Sequence, residues 1–509
     1  MKIIVHGQDG SREVAAVSGE TVLKTLQAAG VSLNAPCGGH GTCRKCRVLV
    51  HDDAGVAYRL ACETPVSDGM EVTVEGNYGM MVALTGTQSK WGSDGEGWGY
   101  GYAIDVGTTT VVCRLYDLES GKLMGTLGRT NPQVVFGNDV VSRITACREG
   151  HLKDMSKLLG DLLVDMAGEL AAKAGIELSQ VSCTVLAGNT VMEHIAAEFD
   201  PTPIGVAPYR PLTLFGTELD YLAFERGSIA AGTTYFAPCI SGYVGGDITC
   251  DLLALDILHA EGPTLLVDLG TNGEIALGDA DGILACATAA GPVFEGGNIK
   301  YGMPAYPGAI SKVTFSGGQF GYTVIAGVEP TGICGTGLID CVALALVHGV
   351  VDETGRILDD DEVDCICSQG MERSLCTHDG ERCIQIAPNV YVTQKDIRSL
   401  QLAKAAIMAG ILTLLEQRGL AFSDVKDFVI AGGFGQFLDL GPASRVGLIP
   451  EELLYCARSV GNLSIEGASA LLLSDEANDE IESIVAACDY LELAESKGFN
   501  ARYVESMGF

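Results

Sequence analysis

The sequence predicts two modules of different fold class, a small α+β domain followed by a larger two-lobed α/β domain. In residues 1–80, strand patterns surround one amphipathic helix, and this element order is typical of a β-grasp domain. Two similar strand–turn–strand segments, near residues 105 and 268, predict two lobes in residues 100–509. Residues 81–99 are rich in Gly and Ser and lack an apolar period, which predicts a flexible linker between the modules.

Each element of the small domain follows from a local pattern. Residues 2–7 and 12–17 form a predicted hairpin, because polar turn residues at positions 8–11 separate two short strand patterns. The apolar side chains that follow share one helical face and end at Gly30, which predicts one short helix: they are Val22, Leu23, Leu26 and Ala29. Strand patterns near residues 47–50 and 71–74 complete the domain.

Four cysteines of this domain indicate an iron–sulfur cluster. Cys37, Cys43 and Cys46 have the spacing Cys-x5-Cys-x2-Cys, and Cys62 follows. A [2Fe–2S] cluster needs four thiolates, two on each iron, and the glycines of the loop let backbone N–H groups turn toward the sulfides: these are Gly38, Gly39 and Gly41. A structural zinc site is the alternative, but zinc ribbons usually pair two Cys-x2-Cys knuckles and only one is present here.

The repeated segments of the larger domain predict a nucleotide site. Residues 103–110 and 266–273 both have an apolar strand, an Asp, then Gly-Thr and polar residues before a second strand. Such a turn offers N–H groups and hydroxyls to phosphate oxygens, while its carboxylate holds a hydrated Mg²⁺. Asp105 and Asp268 are therefore the candidate catalytic residues, and the turns supply the candidate phosphate ligands: Gly107, Thr108, Thr109, Gly270, Thr271 and Asn272.

Two further Gly-rich stretches add to this site. Residues 429–431 form an apolar strand that breaks into Gly432-Gly433-Phe434-Gly435, where missing side chains let a base or ribose approach the backbone. Residues 332–337 contain Gly335 and Thr336 and open an apolar helical stretch, which we expect to pack between the lobes. Gly335, Thr336 and residues 432–435 therefore join the candidate nucleotide-binding residues.

These motifs resemble those of two known families. The loop of Cys37, Cys43 and Cys46 is similar to that of adrenodoxin-type ferredoxins. The turns near residues 105 and 268, with the Gly-rich stretches, resemble the phosphate, connecting and adenosine motifs of the actin, Hsp70 and sugar-kinase superfamily, whose domains are ribonuclease H-like. The fusion of the two resembles the reductive activators of corrinoid proteins, including those of methyltransferase and O-demethylase systems. That resemblance also covers further short motifs: residues 131–133, 138–140, 187–190, 291–296 and 461–468.

The resemblance implies a function. Such an activator binds a [2Fe–2S] cluster, ATP and Mg²⁺, and it hydrolyses ATP while delivering an electron to the inactive Co(II) corrinoid of a partner, which regenerates Co(I). It also implies an upstream low-potential electron donor. The alternatives are a nucleotide-gated redox-sensing binding protein and a small-molecule kinase with an attached ferredoxin domain. The sequence leaves open which corrinoid protein, methyl donor and electron donor take part, and whether the chain forms a homodimer.

Composition and two minor patterns complete the picture. A net charge of −33 argues against nucleic-acid binding, and no apolar run in the sequence is long enough to predict a membrane span. We therefore expect a cytoplasmic protein. His194 could face a partner, although a structural histidine is the more ordinary interpretation. One further cysteine group could hold a second metal, although it lacks a Cys-x2-Cys knuckle: Cys365, Cys367, Cys376 and Cys383, near His378.

Overall fold

The structure is a computed structural model of the chain. It describes residues 1–7, 10–29, 31, 33, 46–52, 55–74, 90–94, 97–219, 223–224, 227–270 and 272–509. Cys37, Cys43, Thr271 and the glycines at positions 38, 39 and 41 lie outside these ranges.

The first residues form a five-stranded sheet with one helix packed on it. Along the sheet the strand order is β2-β1-β5-β3-β4, and β1 pairs parallel with β5, as in a β-grasp domain. The predicted hairpin, helix and later strands are present; β4 was not predicted. The elements are β1 (Lys2–Gly7), β2 (Gly10–Ala15), α1 (Val22–Ala28), β3 (Arg47–Asp52), β4 (Gly55–Leu60) and β5 (Glu71–Thr73).

The first lobe of the larger domain has a six-stranded sheet, with order β10-β13-β9-β6-β7-β8. Its long apolar strands are buried between helices. The elements are β6 (Tyr100–Val106), β7 (Thr110–Asp117), β8 (Lys122–Thr130), α2 (Val140–Ala146), α3 (Leu152–Ala174), β9 (Val181–Gly188), α4 (Thr190–Ala196), β10 (Thr217–Leu219), β11 (Ala223–Phe224), β12 (Gly227–Ser228), β13 (Thr233–Phe236) and α5 (Gly246–Ala254).

The second lobe has a six-stranded sheet with order β24-β23-β14-β15-β16-β25, and two three-stranded sheets. Its elements are β14 (Thr264–Leu269), β15 (Gly273–Asp279), β16 (Gly282–Thr288), β17 (Ala309–Ser316), β18 (Gln319–Val324), β19 (Gly332–Ile333), α6 (Gly335–Val347), α7 (Cys365–Ser368), β20 (Leu375–His378), β21 (Glu381–Ala387), β22 (Val390–Thr393), α8 (Gln394–Arg418), β23 (Asp427–Ala431), α9 (Gly432–Gly435), α10 (Leu440–Arg445), β24 (Ala457–Gly461), α11 (Leu463–Leu473), α12 (Asp475–Ala487), β25 (Cys488–Tyr490) and α13 (Phe499–Glu505).

The two large sheets share one topology. In the first lobe a three-strand antiparallel meander, β6-β7-β8, places its first strand parallel to β9, and β9 is parallel to β13. In the second lobe the meander β14-β15-β16 likewise places β14 parallel to β23, and β23 is parallel to β24. The internal repeat therefore corresponds to a duplicated fold, and the predicted fold class is confirmed.

Two helices cross between the lobes. Helix α5 follows the first lobe's last strand and packs against α11 and α12, whereas α11 follows β24 of the second lobe and packs against β6 and β9 of the first. The expectation that the stretch opened by Gly335 packs between the lobes was wrong, because α6 packs against β17 and α10 of its own lobe. Its nearly all-apolar sequence reflects burial inside that lobe's core.

The C-terminal part of the predicted linker is held against the larger domain. The Trp91 indole Nε1 donates a hydrogen bond to the Leu253 carbonyl at 3.1 Å, and the Asp94 carboxylate accepts one from the Asp475 backbone N–H at 2.7 Å, at the start of α12. Lys90 forms an ion pair with Asp256 at 2.8 Å. Residues 90–94 of the predicted linker are therefore anchored to the larger domain rather than free.

Helix α8 is the core helix of the second lobe. Of the helices in the described part of the chain, it alone has the length and apolar composition to cross a membrane, and 72% of its apolar window is buried inside the protein. Its apolar side chains pack in the same cluster as β14, β15 and β23. Burial within the lobe explains the apolar composition.

Candidate functional site

The described half of the cysteine motif lies at one end of the small domain's sheet. Cys46 precedes β3 and Cys62 follows β4, and these strands are antiparallel neighbours. The Ala61 N–H donates to the Cys46 carbonyl at 2.7 Å, which brings the two cysteine segments side by side. Cys46 is fully buried and Cys62 is 9% exposed. Adjacent buried thiols suit a shared cluster; Cys37 and Cys43 lie outside the described residues.

The predicted nucleotide motifs line one cavity between the lobes. Its volume is about 400 Å³. Most of the predicted residues are in its wall: Asp105, Gly107, Thr108, Thr109, Asp268, Gly270, Asn272, Gly335, Thr336, Gly432, Gly433 and Phe434. Gly435 is not in the wall; it packs against Ile430, and its carbonyl accepts a hydrogen bond from Ser459 Oγ. Thr271 lies outside the described residues.

The first phosphate turn, between β6 and β7, is held by side chains from three other segments. The Asn131 amide donates to the Gly107 carbonyl at 2.9 Å, and the Asn189 amide donates to Thr108 Oγ1 at 3.0 Å. The fully buried Arg143 guanidinium donates to the Thr108 carbonyl. Carbonyls and a hydroxyl oxygen accept these bonds, so the bonds fix the turn without using its backbone N–H groups as donors.

Asp105 lies at the end of β6 under this turn. Asn462 Nδ2 donates to its Oδ2 at 2.7 Å, and Ser464 Oγ donates to its Oδ1 at 3.0 Å. Both donors belong to the start of α11, which crosses from the other lobe. Burial raises the pKa of Asp105, and the two hydrogen bonds oppose that rise. The carboxylate is therefore fixed in orientation, with donors on both oxygens.

Asp268 occupies the equivalent position in the second lobe, but its surroundings are acidic. Burial raises the pKa of Asp268, a hydrogen bond with Asp251 opposes that rise, and the charge of Asp105 adds to it. Gly432 adopts a positive φ of 88°, and a Cβ atom there would lie 2.3 Å from Asp268 Oδ1. Only glycine therefore lets the start of α9 approach this carboxylate, which explains one glycine of the predicted adenosine motif.

Three acidic side chains near Asp268 were not predicted. Asp247 and Asp251 lie one turn apart on α5, and Glu274 begins β15 beside the second phosphate turn. Burial raises the pKa of all three, and neighbouring carboxylates raise each further. Asp247 and Glu274 line the cavity. Hard divalent cations prefer carboxylate oxygen ligands, so this concentration of negative charge fits Mg²⁺.

An aromatic pair also lines the cavity. The rings of Phe294 and Phe434 stack with centroids 5.2 Å apart, and both line the wall. A Cβ at Gly335 would lie 1.9 Å from the Phe294 carbonyl oxygen, so glycine is required where α6 begins. Stacked aromatic rings in the wall suit contact with a flat aromatic base.

The remaining sequence candidates lie elsewhere. His194 is fully buried, with the Phe215 ring 5.0 Å away, so it does not face a partner. Cys376 and Cys383 lie opposite each other on β20 and β21, whereas Cys367 Sγ donates to Asp364. Among the described side chains, these cysteines and His378 do not form a group of three clustered metal ligands. The side chain of Cys365 is outside the described part.

Comparison with family models divides the chain into three matched regions. Residues 8–76 match a 2Fe-2S iron-sulfur cluster binding domain, residues 100–260 match the RACo middle region, and residues 262–509 match the C-terminal domain of RACo, described as the ASKHA domain. The first match identifies the N-terminal domain as a 2Fe–2S ferredoxin-type domain and favours the cluster over the zinc alternative.

Curated relatives and a solved structure match along most of the chain. The corrinoid activation enzyme RamQ of Eubacterium limosum is 30% identical, with 97% of both chains covered. A reductase of Methanosarcina barkeri, named for the Co(II) methylated amine-specific corrinoid protein, is 25% identical over 81% of this chain and 77% of its own. A solved structure, that of a reductive activator for corrinoid, iron-sulfur protein, is 28% identical in sequence and superposes with a TM-score of 0.71. The match covers 100% of this chain and 98% of that chain. The chain therefore belongs to the family of reductive activators of corrinoid proteins.

Proposed function

We propose that this protein is an ATP-dependent reductive activator that passes one electron from its N-terminal [2Fe–2S] cluster to the Co(II) corrinoid of a partner protein. The cobalt gains the electron that the cluster loses, and Co(I) results. The observation that carries the proposal is the meeting of Asp105 and Asp268 in one cavity, in a chain whose N-terminal domain matches a 2Fe-2S domain. The names of the full-length relatives support the corrinoid as the electron acceptor.

We assign the roles of the side chains as follows. Cys37, Cys43, Cys46 and Cys62 hold the cluster, which supplies one-electron transfer at low potential. Asp105, held by Asn462 and Ser464, would orient the water of a hydrated Mg²⁺, and Asp268 would contribute a carboxylate to that ion, which would neutralise phosphate charge. The phosphates contact the two turns, and the base lies toward Phe294 and Phe434. The ligand residues are Gly107, Thr108, Thr109, Gly270, Thr271, Asn272, Gly335, Thr336, Gly432 and Gly433.

Asp247 has a separate role in this proposal. It lies at the start of α5 and lines the cavity, and burial beside other carboxylates raises its pKa. A carboxyl group with a raised pKa near the phosphates is suited to accept a proton from an attacking water. We therefore assign Asp247 as the general base of hydrolysis.

Each region of the chain has its own role in this proposal. We propose that residues 1–80 carry the electron, that residues 81–99 connect them to the rest, and that residues 100–509 bind and hydrolyse ATP. An upstream low-potential donor in the cytoplasm re-reduces the cluster. Nucleotide acts by shifting the two lobes toward the state that binds the Co(II) partner, and linkage then requires the partner to change nucleotide affinity by the same factor.

The test is cobalt reduction by the anaerobically reduced protein, with a Co(II) corrinoid protein as acceptor. We expect Co(I) absorbance to appear with MgATP and not without it. The variant Asp268→Asn should lose this activity and retain cluster absorbance, whereas Asp281→Asn, an exposed aspartate in the β15–β16 turn, should behave as wild type.

Two outcomes would contradict the proposal. Equal Co(I) formation with and without ATP would leave a simple electron carrier. ATP turnover with phosphate transferred to a small molecule, and no cobalt reduction, would support the kinase alternative instead.

A further inference from the structure

The hairpin formed by β20 and β21 brings two thiols together. Cys376 and Cys383 are directly opposite in the antiparallel register, and their Sγ atoms are 3.3 Å apart. Cys383 is buried, whereas Cys376 is half-buried. Both are free thiols in the structure. The family assignment does not use this pair, which lies in the second lobe and outside the nucleotide cavity.

The backbone geometry already fits a disulfide. Directly opposite residues of antiparallel strands have Cα atoms about 4.5–5.5 Å apart, within the range of roughly 4.4–6.8 Å that disulfides span. The two sulfurs would have to move closer by little more than about 1 Å to reach bonding distance. Side-chain rotation can supply that movement without displacing either strand.

The neighbouring ligands do not favour a metal at this pair. His378 lies two residues after Cys376 on the same strand, but its ring is stacked on Tyr391, with centroids 4.3 Å apart. In the described part of the chain, the only three metal-ligating side chains whose ligand atoms cluster are Asp256, His259 and Glu480. Two thiols without further ligands are better suited to redox chemistry than to metal binding.

We propose that Cys376 and Cys383 form a reversible thiol–disulfide site that reacts with a small disulfide of the glutathione class. The half-buried Cys376 thiolate attacks one sulfur of the small disulfide, and one thiolate leaves. Cys383 then gives up its proton and attacks the Cys376 sulfur of the mixed disulfide, which releases the second thiol. The protein loses two electrons and two protons, and the small disulfide gains them.

The order of attack follows from burial. Burial raises the pKa of Cys383 to about 12, and the Cys376 thiol beside it adds to the rise. Cys383 is therefore almost entirely protonated at neutral pH and is a poor first nucleophile. Once Cys376 carries a mixed disulfide, the adjacent sulfur of Cys383 is positioned to resolve it.

The hairpin is connected to the nucleotide cavity. Its turn carries Asp379, whose carboxylate pairs with Lys300 Nζ at 3.0 Å. Lys300 belongs to the segment that also supplies Glu295 and Ala305 to the cavity wall. A disulfide across the hairpin would therefore restrain the strands on which that ion pair depends.

The experiment is an anaerobic titration of the cluster-loaded full chain with oxidised and reduced glutathione in varying ratio. After acid quenching, free thiols are alkylated and peptides are mapped by mass spectrometry. We expect a peptide pair linked through Cys376 and Cys383 that has lost two hydrogen atoms, and its complete return to dithiol on addition of dithiothreitol.

Variants provide the controls. Cys376→Ser should abolish the linked species, whereas Cys456→Ser, a partly buried cysteine elsewhere in the lobe, should leave it unchanged. The proposal is overturned if both thiols of the wild type remain fully alkylated at the highest glutathione disulfide ratio, or if only mixed glutathione adducts form. Because this readout uses the wild-type protein, it does not depend on the folding of any variant.

Discussion

The two lobes share a topology, but their equivalent aspartates, Asp105 and Asp268, have different surroundings. Asp105 receives hydrogen bonds from Asn462 and Ser464, whereas Asp268 faces another carboxyl group, that of Asp251, whose pKa burial and the neighbouring carboxylates raise. The difference arises in the crossing helices, since α11 brings donors to one aspartate and α5 brings acids to the other. A duplicated scaffold can thus supply one fixed carboxylate and one that needs a cation.

The lobes also differ next to these helices. Arg114 on β7 pairs with Glu466 of α11 through two hydrogen bonds, at 2.7 and 3.0 Å, and the Arg114 side chain is 3% exposed. The equivalent residue of β15 is Ala276, because Arg114 pairs with Ala103 and Ala276 pairs with the corresponding Leu266. Ala276 is 1% exposed and packs among apolar side chains. The first lobe therefore uses a buried ion pair where the second uses only packing.

Breaking that ion pair should have the largest effect on stability. Arg114→Leu replaces the cation by an apolar side chain, like the apolar residue of the second lobe, and removes the arginine partner of the buried Glu466 carboxylate. We expect this to cost about 3–5 kcal/mol in the free energy of unfolding. Urea denaturation measures the loss. The double variant Arg114→Leu/Glu466→Leu should recover most of it, and a double variant as unstable as the single one would contradict the comparison.

The surface pair Arg458–Asp427 provides the matched control. Its side chains are 43% and 32% exposed, so Arg458→Leu should cost at most about 1 kcal/mol.

Replacing Asp268 should have the largest effect on activity. Asp268→Asn keeps the shape of the side chain but removes the charge that we assign to Mg²⁺, and kcat/KM for ATP hydrolysis should fall by about 10²–10³. Steady-state phosphate release measures the fall, with Asp281→Asn as the control. If Asp105→Asn lowers the activity and Asp268→Asn does not, the roles of the two carboxylates are reversed.

Lys404 offers a smaller test in the second lobe. It is buried, its Nζ donates to the Gly508 carbonyl, and burial alone lowers its pKa from 10.5 to about 8. Between pH of about 8 and 10.5, the unfolded chain binds this proton and the folded chain does not. Stability should therefore rise with pH over this interval, by on the order of 3 kcal/mol.

Comparison with Lys404→Met isolates that contribution. The variant should lack this part of the rise and should be more stable than wild type near neutral pH. Urea unfolding of both proteins at pH values on either side of the interval measures the difference, and parallel pH dependences would show that Lys404 has an ordinary pKa.

Ser464→Ala sharpens the contrast between the aspartates with the smallest effect. Ser464 donates one of the two hydrogen bonds that hold down the pKa of Asp105. Its removal should raise that pKa, so the acid limb of the pH profile of kcat/KM should move to higher pH. Ser469→Ala changes a serine of the same helix that bonds a backbone carbonyl, and its profile should not move.

Patterns that are local in the sequence predicted the structure well. The two phosphate turns were found because each lies between strands only a few residues apart. Asp247 and Asp251 were missed because they lie on a helix whose position beside Asp268 depends on how the lobes meet. The error about α6 has the same origin: an apolar helix is buried in either case, and composition does not tell which neighbour covers it.

The linker shows a second reason why sequence patterns fail. Its Gly and Ser content predicted a flexible segment, but the indole of Trp91 and the carboxylate of Asp94 form hydrogen bonds with residues more than 150 positions away in the sequence. One or two anchoring side chains barely change the composition of a segment, and the local sequence does not indicate which distant residues they contact. The candidate ligands Cys46 and Cys62, by contrast, could be proposed from the sequence because thiol spacing carries its own chemistry.

That anchored segment limits how far the electron can be carried. Val74 ends the described small domain and Lys90 is already fixed to the larger one, so the chain between them can span at most roughly 55 Å. Val74 therefore lies within that distance of Lys90 in any arrangement of the chain, and the local concentration of the small domain near the larger one does not depend on dilution. A partner must bring its cobalt within reach of the small domain, which makes delivery selective for proteins already docked.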